Sequence, residues 1–268
     1  MNQTRASGIQ DDFSYAYFRL LVAAMQEQYR PCLFGEAPAR LGKGGQPLLL
    51  LRHDVDVSLE RALDMARVEQ EMGMPATYMV LAKAALYDFR AAPNARLVRE
   101  LRRCGHEVGL HFDIEAEGVM PDSPAEEIER VLMSARDELA AVLGESVPSF
   151  SFHRPIPRFL RGPLVVAEMV NGYATELMAG YISDSKAHWR EGPPLPRLME
   201  KPAVDVFQVL VHPIWWGEKH QSGAERLQSF FGEQTTGKTL NDTMAYSAAL
   251  ARAVPAVARA GADVMSRR

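Results

Sequence analysis

A parallel α/β fold is predicted for this 268-residue chain, and three observations carry the prediction. Short apolar runs of strand length alternate with amphipathic helical stretches, and parallel strands need such crossovers. The first of these runs, Pro47–Leu51, is apolar without alternation, as suits a strand covered on both faces. Histidines and aspartates recur where the runs end, the edge at which barrel and doubly wound folds place their sites.

Residues 12–30 read as an N-terminal helix with Tyr17, Leu20, Leu21, Ala24 and Met25 on its apolar face. Gly42-Lys43-Gly44-Gly45 precedes a strand instead of following one, so it reads as a flexible turn and not as a phosphate loop. Pro47–Leu51 is the first strand, and it ends in Arg52-His53-Asp54-Val55-Asp56. The helix after it carries Leu59, Leu63 and Ala66 on one face and stops near Gly73, ahead of Pro75. Ala76–Leu81 is the second strand. Asn94 is expected to cap a helix through Leu97, Leu101 and Cys104, which Gly105 closes.

The third strand, Glu107–Leu110, ends at His111. Ser123-Pro124-Ala125-Glu126 has the form of a capping box. Ile128, Leu132, Ala135, Leu139 and Val142 then keep helical spacing up to Gly144. Pro148–Phe152 is the fourth strand and ends in His153-Arg154-Pro155. Tyr181–Ser183 is a weaker strand. Val204–Val211 is a stronger one, ending at His212-Pro213. Residues 221–268 read as helical, interrupted by Pro255. No repeat, charge block or linker divides the chain, so residues 1–268 are expected to form one domain.

Composition narrows the function classes. The chain is 47% hydrophobic and 24% charged, an ordinary globular balance. With 30 Lys+Arg against 34 Asp+Glu, its net charge of −4 argues against gripping nucleic acid or anionic lipid by bulk charge. Cys32 and Cys104 have neither zinc spacing nor the density of a disulfide framework, and read as reduced, buried thiols. No segment approaches the ~20 apolar residues of a membrane span. The leading MNQTRASGIQDDF lacks the apolar stretch of a signal peptide, so a cytoplasmic location is expected.

His53, Asp54, Asp56, His111, His153 and His212 all fall at strand ends. Convergent imidazoles and carboxylates are costly to bury without a purpose, so they point to one site. Of the two carboxylates in Asp54-Val55-Asp56, one can bind a divalent cation while the other holds a water against it. His111 can add an imidazole. A mixed N/O set suits zinc or another first-row metal, which acidifies water and polarises a carbonyl. A carboxylate can then take the water's proton, and a histidine can protonate the leaving group. Asp56 also suits an N-cap, a role compatible with metal binding. No Gly-x-Ser-x-Gly elbow and no dinucleotide fingerprint occurs. His212-Pro213-Ile214-Trp215-Trp216 sets two indoles beside a candidate acid, suited equally to a sugar face or to a core. His106 begins a strand and reads as structural, while His188 and His220 read as loop residues.

Taken in order, these motifs resemble the polysaccharide deacetylases with a NodB homology domain, the carbohydrate esterase family 4 superfamily. His53-Asp54-Val55-Asp56 is similar to the family's first motif. Gly105-His106-Glu107-Val108-Gly109-Leu110-His111 resembles the approach to its second, and Phe152-His153-Arg154-Pro155 its third. Asp184-Ser185 with Trp189 resembles the fourth, and Leu210-Val211-His212 the fifth. The resemblance spans about residues 47–216. The set HDVD, GLHFD, SFHRP, YISDS and HPIWW is most similar to a divergent branch associated with bacterial surface-polysaccharide biosynthesis.

This resemblance implies a distorted (β/α) barrel with fewer than eight regular strands. It implies metal-dependent removal of an N-acetyl or N-formyl group from an amino sugar, on a small or lipid-linked glycan intermediate. Zinc is the expected ion, with nickel, cobalt and iron as alternatives. Carried over, Asp54 is the general base, Asp56 and His111 are metal ligands, Arg154 orients the base, His212 is the general acid, and Asp184 holds that histidine. The family's second motif has another histidine four residues after the first, where this chain has Glu115. The third ligand is therefore open among Glu115, Asp113 and His153. His153 is favoured because it sits at a neighbouring strand end and restores a second imidazole. Two other readings stand beside this one: an inactive barrel that binds a glycan or a partner, and a metal-dependent amidase for a small non-sugar amide. Fold alone does not separate them.

Overall fold

The computed structural model describes residues 12–155, 157 and 159–254. The expected break at Pro255, the end of the helical tail and most of the leading segment lie outside the described residues. The first helix, α1, is Tyr15–Gln28, capped by Ser14, whose side chain accepts from the Tyr17 N–H. Leu21, Ala24 and Met25 of the expected apolar face are buried and Tyr17 packs against the core, while Leu20 is 56% exposed and Phe18 and Val22 are buried in addition. Arg30–Pro31 leaves the helix as a two-residue strand, β1.

After the short α2 (Ala37–Arg40), strands and helices alternate as expected. They are β2 (Leu48–Val55), α3 (Leu59–Met72), β3 (Thr77–Leu81), α4 (Ala92–Arg103), β4 (Glu107–Phe112), α5 (Ala125–Leu143) and β5 (Ser149–Phe152). Then come β6 (Val165–Val166), β7 (Met169–Asn171), β8 (Gly180–Ser183), α6 (Pro194–Met199), β9 (Val206–Val211), α7 (Gly223–Thr235) and α8 (Leu240–Ala253). Gly73 and Gly144 end α3 and α5 in the left-handed conformation, at φ 65° and 76°, as the sequence requires.

Two helix starts differ from expectation. Pro93 lies in the first turn of α4, so the helix begins ahead of Asn94. The Asn94 amide donates to the Asp88 carbonyl instead of capping. Helix α5 starts at Ala125, with extended Pro124 at the cap position and no side-chain cap. Ser123 therefore sits one residue too early for the box.

The strands join in the order β6-β7-β5-β4-β3-β2-β9-β8, with β1 beside β2. Every pairing is parallel except β6 with β7. The sheet curls so far that side chains of β4 reach the end of β2, two strands away, within 3.2 Å. It is the distorted barrel expected of the sequence, and six of its nine described strands have four residues or more.

Strand β2 is buried along its whole length. Alternation sorts its side chains between two cores. Leu49 and Leu51 join the large outer cluster with α1 and α3, while Leu48 and Leu50 join a smaller one with Met79, Ala174 and Val206. The face that carries Leu48 and Leu50 continues through Arg52 and Asp54, so the barrel interior turns from apolar to charged toward the C-terminal strand ends. Cys32 and Cys104 are buried free thiols, as expected. Among the described residues no helix is long and apolar enough to cross a membrane.

Candidate metal centre

Three donor atoms converge at that charged edge. Asp56 follows β2, His111 lies near the end of β4, and His153 follows β5. The His111 Nε2 and His153 Nδ1 atoms each lie 3.2 Å from Asp56 Oδ1, and 3.3 Å from one another. These three are the group among the described residues whose donors could hold one metal ion. A tetrahedral ion with ligands at about 2.0–2.1 Å separates its donors by about 3.3–3.4 Å, so the triangle matches that demand.

Asp56 Oδ1 supplies the second mark of a fit. It is buried, faces two imidazole nitrogens at 3.2 Å, and among the described residues has no other polar partner. Acceptor atoms turned toward one point in this way are arranged for a cation and not for each other. The strands explain the placement. His111 and Ser151 are register partners on β4 and β5, and the His111 Nδ1 lies 2.7 Å from the Ser151 hydroxyl, which aims Nε2 inward. The His153 amide donates to the Phe112 carbonyl at 2.9 Å, extending the pairing of β4 with β5 past Phe152.

Asp54 borders the triangle. Its Oδ2 is 3.6 Å from His111 Nε2. Both of its oxygens accept from Arg52, Nε to Oδ1 and Nη2 to Oδ2, each at 2.8 Å. His212 follows β9, its Nε2 3.9 Å from Asp56 Oδ2. Asp184, after β8, takes the His212 ring Nδ1 at 2.7 Å, the His212 backbone N–H at 3.0 Å, and the Trp216 indole N–H at 2.8 Å.

The charges reinforce one another. Burial alone would raise both aspartates. Arg52, His111 and His212 bring Asp54 below its ordinary range, and His153 with His111 brings Asp56 well below. Burial disfavours a charged His153, but Asp56 outweighs it and lifts the imidazole above its usual value. His212 is pushed up to about 9: burial opposes, and the hydrogen bond and charge of Asp184 prevail.

Asp54, Asp56, His111, His153, Asp184 and His212 are thus brought together at one edge. Arg154 stands apart. Its guanidinium pairs with Asp113 at 2.7 Å and Glu115 at 3.0 Å, and the one on Asp54 belongs to Arg52. Asp113 and Glu115 are held by that arginine outside the triangle. Arg52 was missed by sequence reasoning, although its spacing two residues before Asp54 on one strand was the available signal. His53 faces away from the site, bonded through Nε2 to buried Glu69 at 2.6 Å and stacked on Tyr78. Trp215 and Trp216 are core residues, 3% and 0% exposed. His106 is structural as expected, its Nε2 on the Ala66 carbonyl.

No protein-family model and no curated protein matches the sequence. Solved structures do. A CE4 family pseudoenzyme from Bacillus anthracis is similar at 17% identity and TM-score 0.43, over 71% of this chain. This chain spans 62% of that one's length. A family 4 carbohydrate esterase from Streptomyces lividans has 14% identity and TM-score 0.37, over 62% of this chain and 79% of that one. The peptidoglycan deacetylase PdaC from Bacillus subtilis has 15% identity and TM-score 0.42, over 78% and 95%.

Proposed function

We propose that this chain is a NodB-type hydrolase of carbohydrate esterase family 4 that removes an N-acyl group, acetyl or formyl, from an amino sugar on a small or lipid-linked glycan. The observation that carries the reading is the convergence of Asp56, His111 and His153, with Asp54 and His212 both within 4 Å of a member of that triangle. Asp56 Oδ1, His111 Nε2 and His153 Nδ1 would hold a divalent cation, and two imidazoles with a carboxylate suit zinc. Such an ion would supply Lewis acidity to the acyl carbonyl and to water.

The remaining chemistry belongs to the chain. Asp54, kept anionic, accepts the proton of the water that adds to the acyl carbon. His212 carries a proton at neutral pH and donates it from Nε2 to the amine as the C–N bond breaks. Asp184 holds Nδ1, so that Nε2 is the nitrogen presented to the site. A carboxylate and a free amino sugar leave.

The test is metal analysis of the purified protein and of Asp56→Ala, followed by acyl release from N-acetyl and N-formyl sugars and from simple amides. Stoichiometric metal in the parent alone, with sugar deacylation lost in Asp54→Asn, supports the reading. Metal in neither protein after reconstitution overturns it in favour of a binding barrel. Turnover of simple amides alone overturns the sugar assignment.

A further inference from the structure

Arg52 is fully buried, and all three of its guanidinium nitrogens are engaged. Nε and Nη2 grip Asp54 side-on, Nη2 also donates to the Tyr173 hydroxyl at 3.2 Å, and Nη1 donates to Gln208 Oε1 at 3.3 Å. The Gln208 amide is itself fixed. Its Nε2 donates to the carbonyls of Gly172 and Leu177, which leaves Oε1 for the arginine. The guanidinium carbon also lies 4.6 Å from the centre of the Tyr173 ring. Among the described residues this cation in the barrel interior has one salt-bridge partner, Asp54, with which it forms a bidentate pair.

The carboxylate sits beside the donor triangle without joining it. Asp54 Oδ2 is 3.6 Å from His111 Nε2, whereas Asp56 Oδ1 is 3.2 Å from the same atom. We infer that Arg52 is the positioning residue of Asp54, holding its carboxylate beside the cation site as a proton acceptor and keeping it from becoming a further ligand. The inference rests on the hydrolase reading above. Arg154 does not serve, because it is half-exposed and committed to Asp113 and Glu115. Strand geometry makes Arg52 suitable: residues two apart on β2 project from one face, so the guanidinium rises under the carboxylate.

Removing the guanidinium takes the bidentate partner from a buried carboxylate that lies 3.6 Å from a donor of the cation site and leaves it free to turn toward that site. Arg52→Gln is therefore expected to bind Co²⁺ about tenfold more tightly than the parent, since one opposing charge has left the site. The same variant is expected to lose about 100-fold in kcat with KM within about threefold, as for an interaction needed in the transition state. The tightening disappears when Asp54 is also changed: Arg52→Gln with Asp54→Asn matches Asp54→Asn alone. Arg52→Lys keeps the charge but not the two-pronged grip, so its Co²⁺ affinity stays near the parent's while kcat falls about tenfold.

The experiment is calorimetric titration of the chelator-treated full chain with Co²⁺ across these variants, with steady-state kinetics beside it. Weaker or unchanged Co²⁺ binding in Arg52→Gln overturns the inference, as does a tightening that survives Asp54→Asn. If Arg52→Gln does not fold, Arg52→Lys decides, and a kcat within threefold of the parent overturns it. A parent that binds Co²⁺ and turns over, beside Arg52 variants that behave like it, defeats this inference alone. A parent that neither binds Co²⁺ nor releases an acyl group defeats the hydrolase reading and the inference with it.

Discussion

His111 and His153 meet edge to face, their ring centres 5.2 Å apart at 86°, with Nε2 of one 3.3 Å from Nδ1 of the other. Two protonated imidazoles would repel at that distance, and so would two neutral ones that both turn a lone pair inward, as metal ligands do. A shared cation resolves both conflicts. His153 is thereby expected to be the third ligand. Substituting His153 with alanine should abolish stoichiometric zinc in elemental analysis. Glu115→Ala should retain it, because Glu115 is engaged by Arg154 at 3.0 Å. Zinc retained by His153→Ala and lost by Glu115→Ala reverses the assignment.

Ser151 supplies a milder test of the same centre. Its hydroxyl lies 2.7 Å from His111 Nδ1 and fixes the ring so that Nε2 faces inward. Loss of such an outer partner weakens metal binding about 10–100-fold in comparable centres. Ser151→Ala should show that weakening in competition with a chromogenic chelator. An affinity within threefold of the parent refutes the orienting role.

The interior of β4 carries the cost of this packing. A methyl added at Gly109 would lie 2.5 Å from Met79 Sδ, 2.6 Å from the Ser149 hydroxyl and 3.1 Å from the Ser149 carbonyl. The carbonyl belongs to a paired strand and cannot retreat far. Gly109→Ala should destabilise the fold by about 1–3 kcal/mol, as overpacking does. Urea unfolding checks this, and an unchanged midpoint at unchanged slope contradicts it.

The strand-helix alternation was legible because each strand is covered on both faces, and its apolar run is therefore uninterrupted. Asp56, His111 and His153 were legible for a related reason, since strand ends in such folds share one rim. What escaped was short or depended on contacts across the chain. The β6–β7 hairpin and β1 are two or three residues per strand, too brief for periodicity. The partner of Arg154 could not be read from Arg-Pro beside a histidine, because Asp113 and Glu115 reach it from β4's loop, some 40 residues away. Trp216 looked equally suited to substrate or core. Its indole N–H on Asp184 and its packing against Phe13 and Phe18 place it in the core.

Arg154 should matter little to the chemical step. Its side chain is 52% exposed and its ion-pair partners are Asp113 and Glu115, not Asp54. Arg154→Ala should keep kcat within about fivefold of the parent, because no group it pairs with belongs to the donor triangle or to the proposed base. If it instead costs 100-fold, Arg154 and not Arg52 governs the base.

Asp184 should make the chelator-treated protein's stability depend on pH in the alkaline range. His212 rises from 6.5 to about 9 in the fold: burial opposes its charge, while the Asp184 hydrogen bond and charge, then Asp56 and Asp54, favour it. The folded protein thus holds this proton more tightly than the unfolded chain. The resulting stabilisation is complete below pH 6.5 and is lost as pH rises through about 9. His153, also raised, contributes in the same direction in parent and variant alike. Asp184→Asn removes the largest favourable partner of His212, so its Tm should fall less steeply between pH 6.5 and 9 than the parent's. Melting curves of both chelated proteins at half-unit intervals read this directly. Equal slopes would mean that Asp184 does not hold the His212 proton.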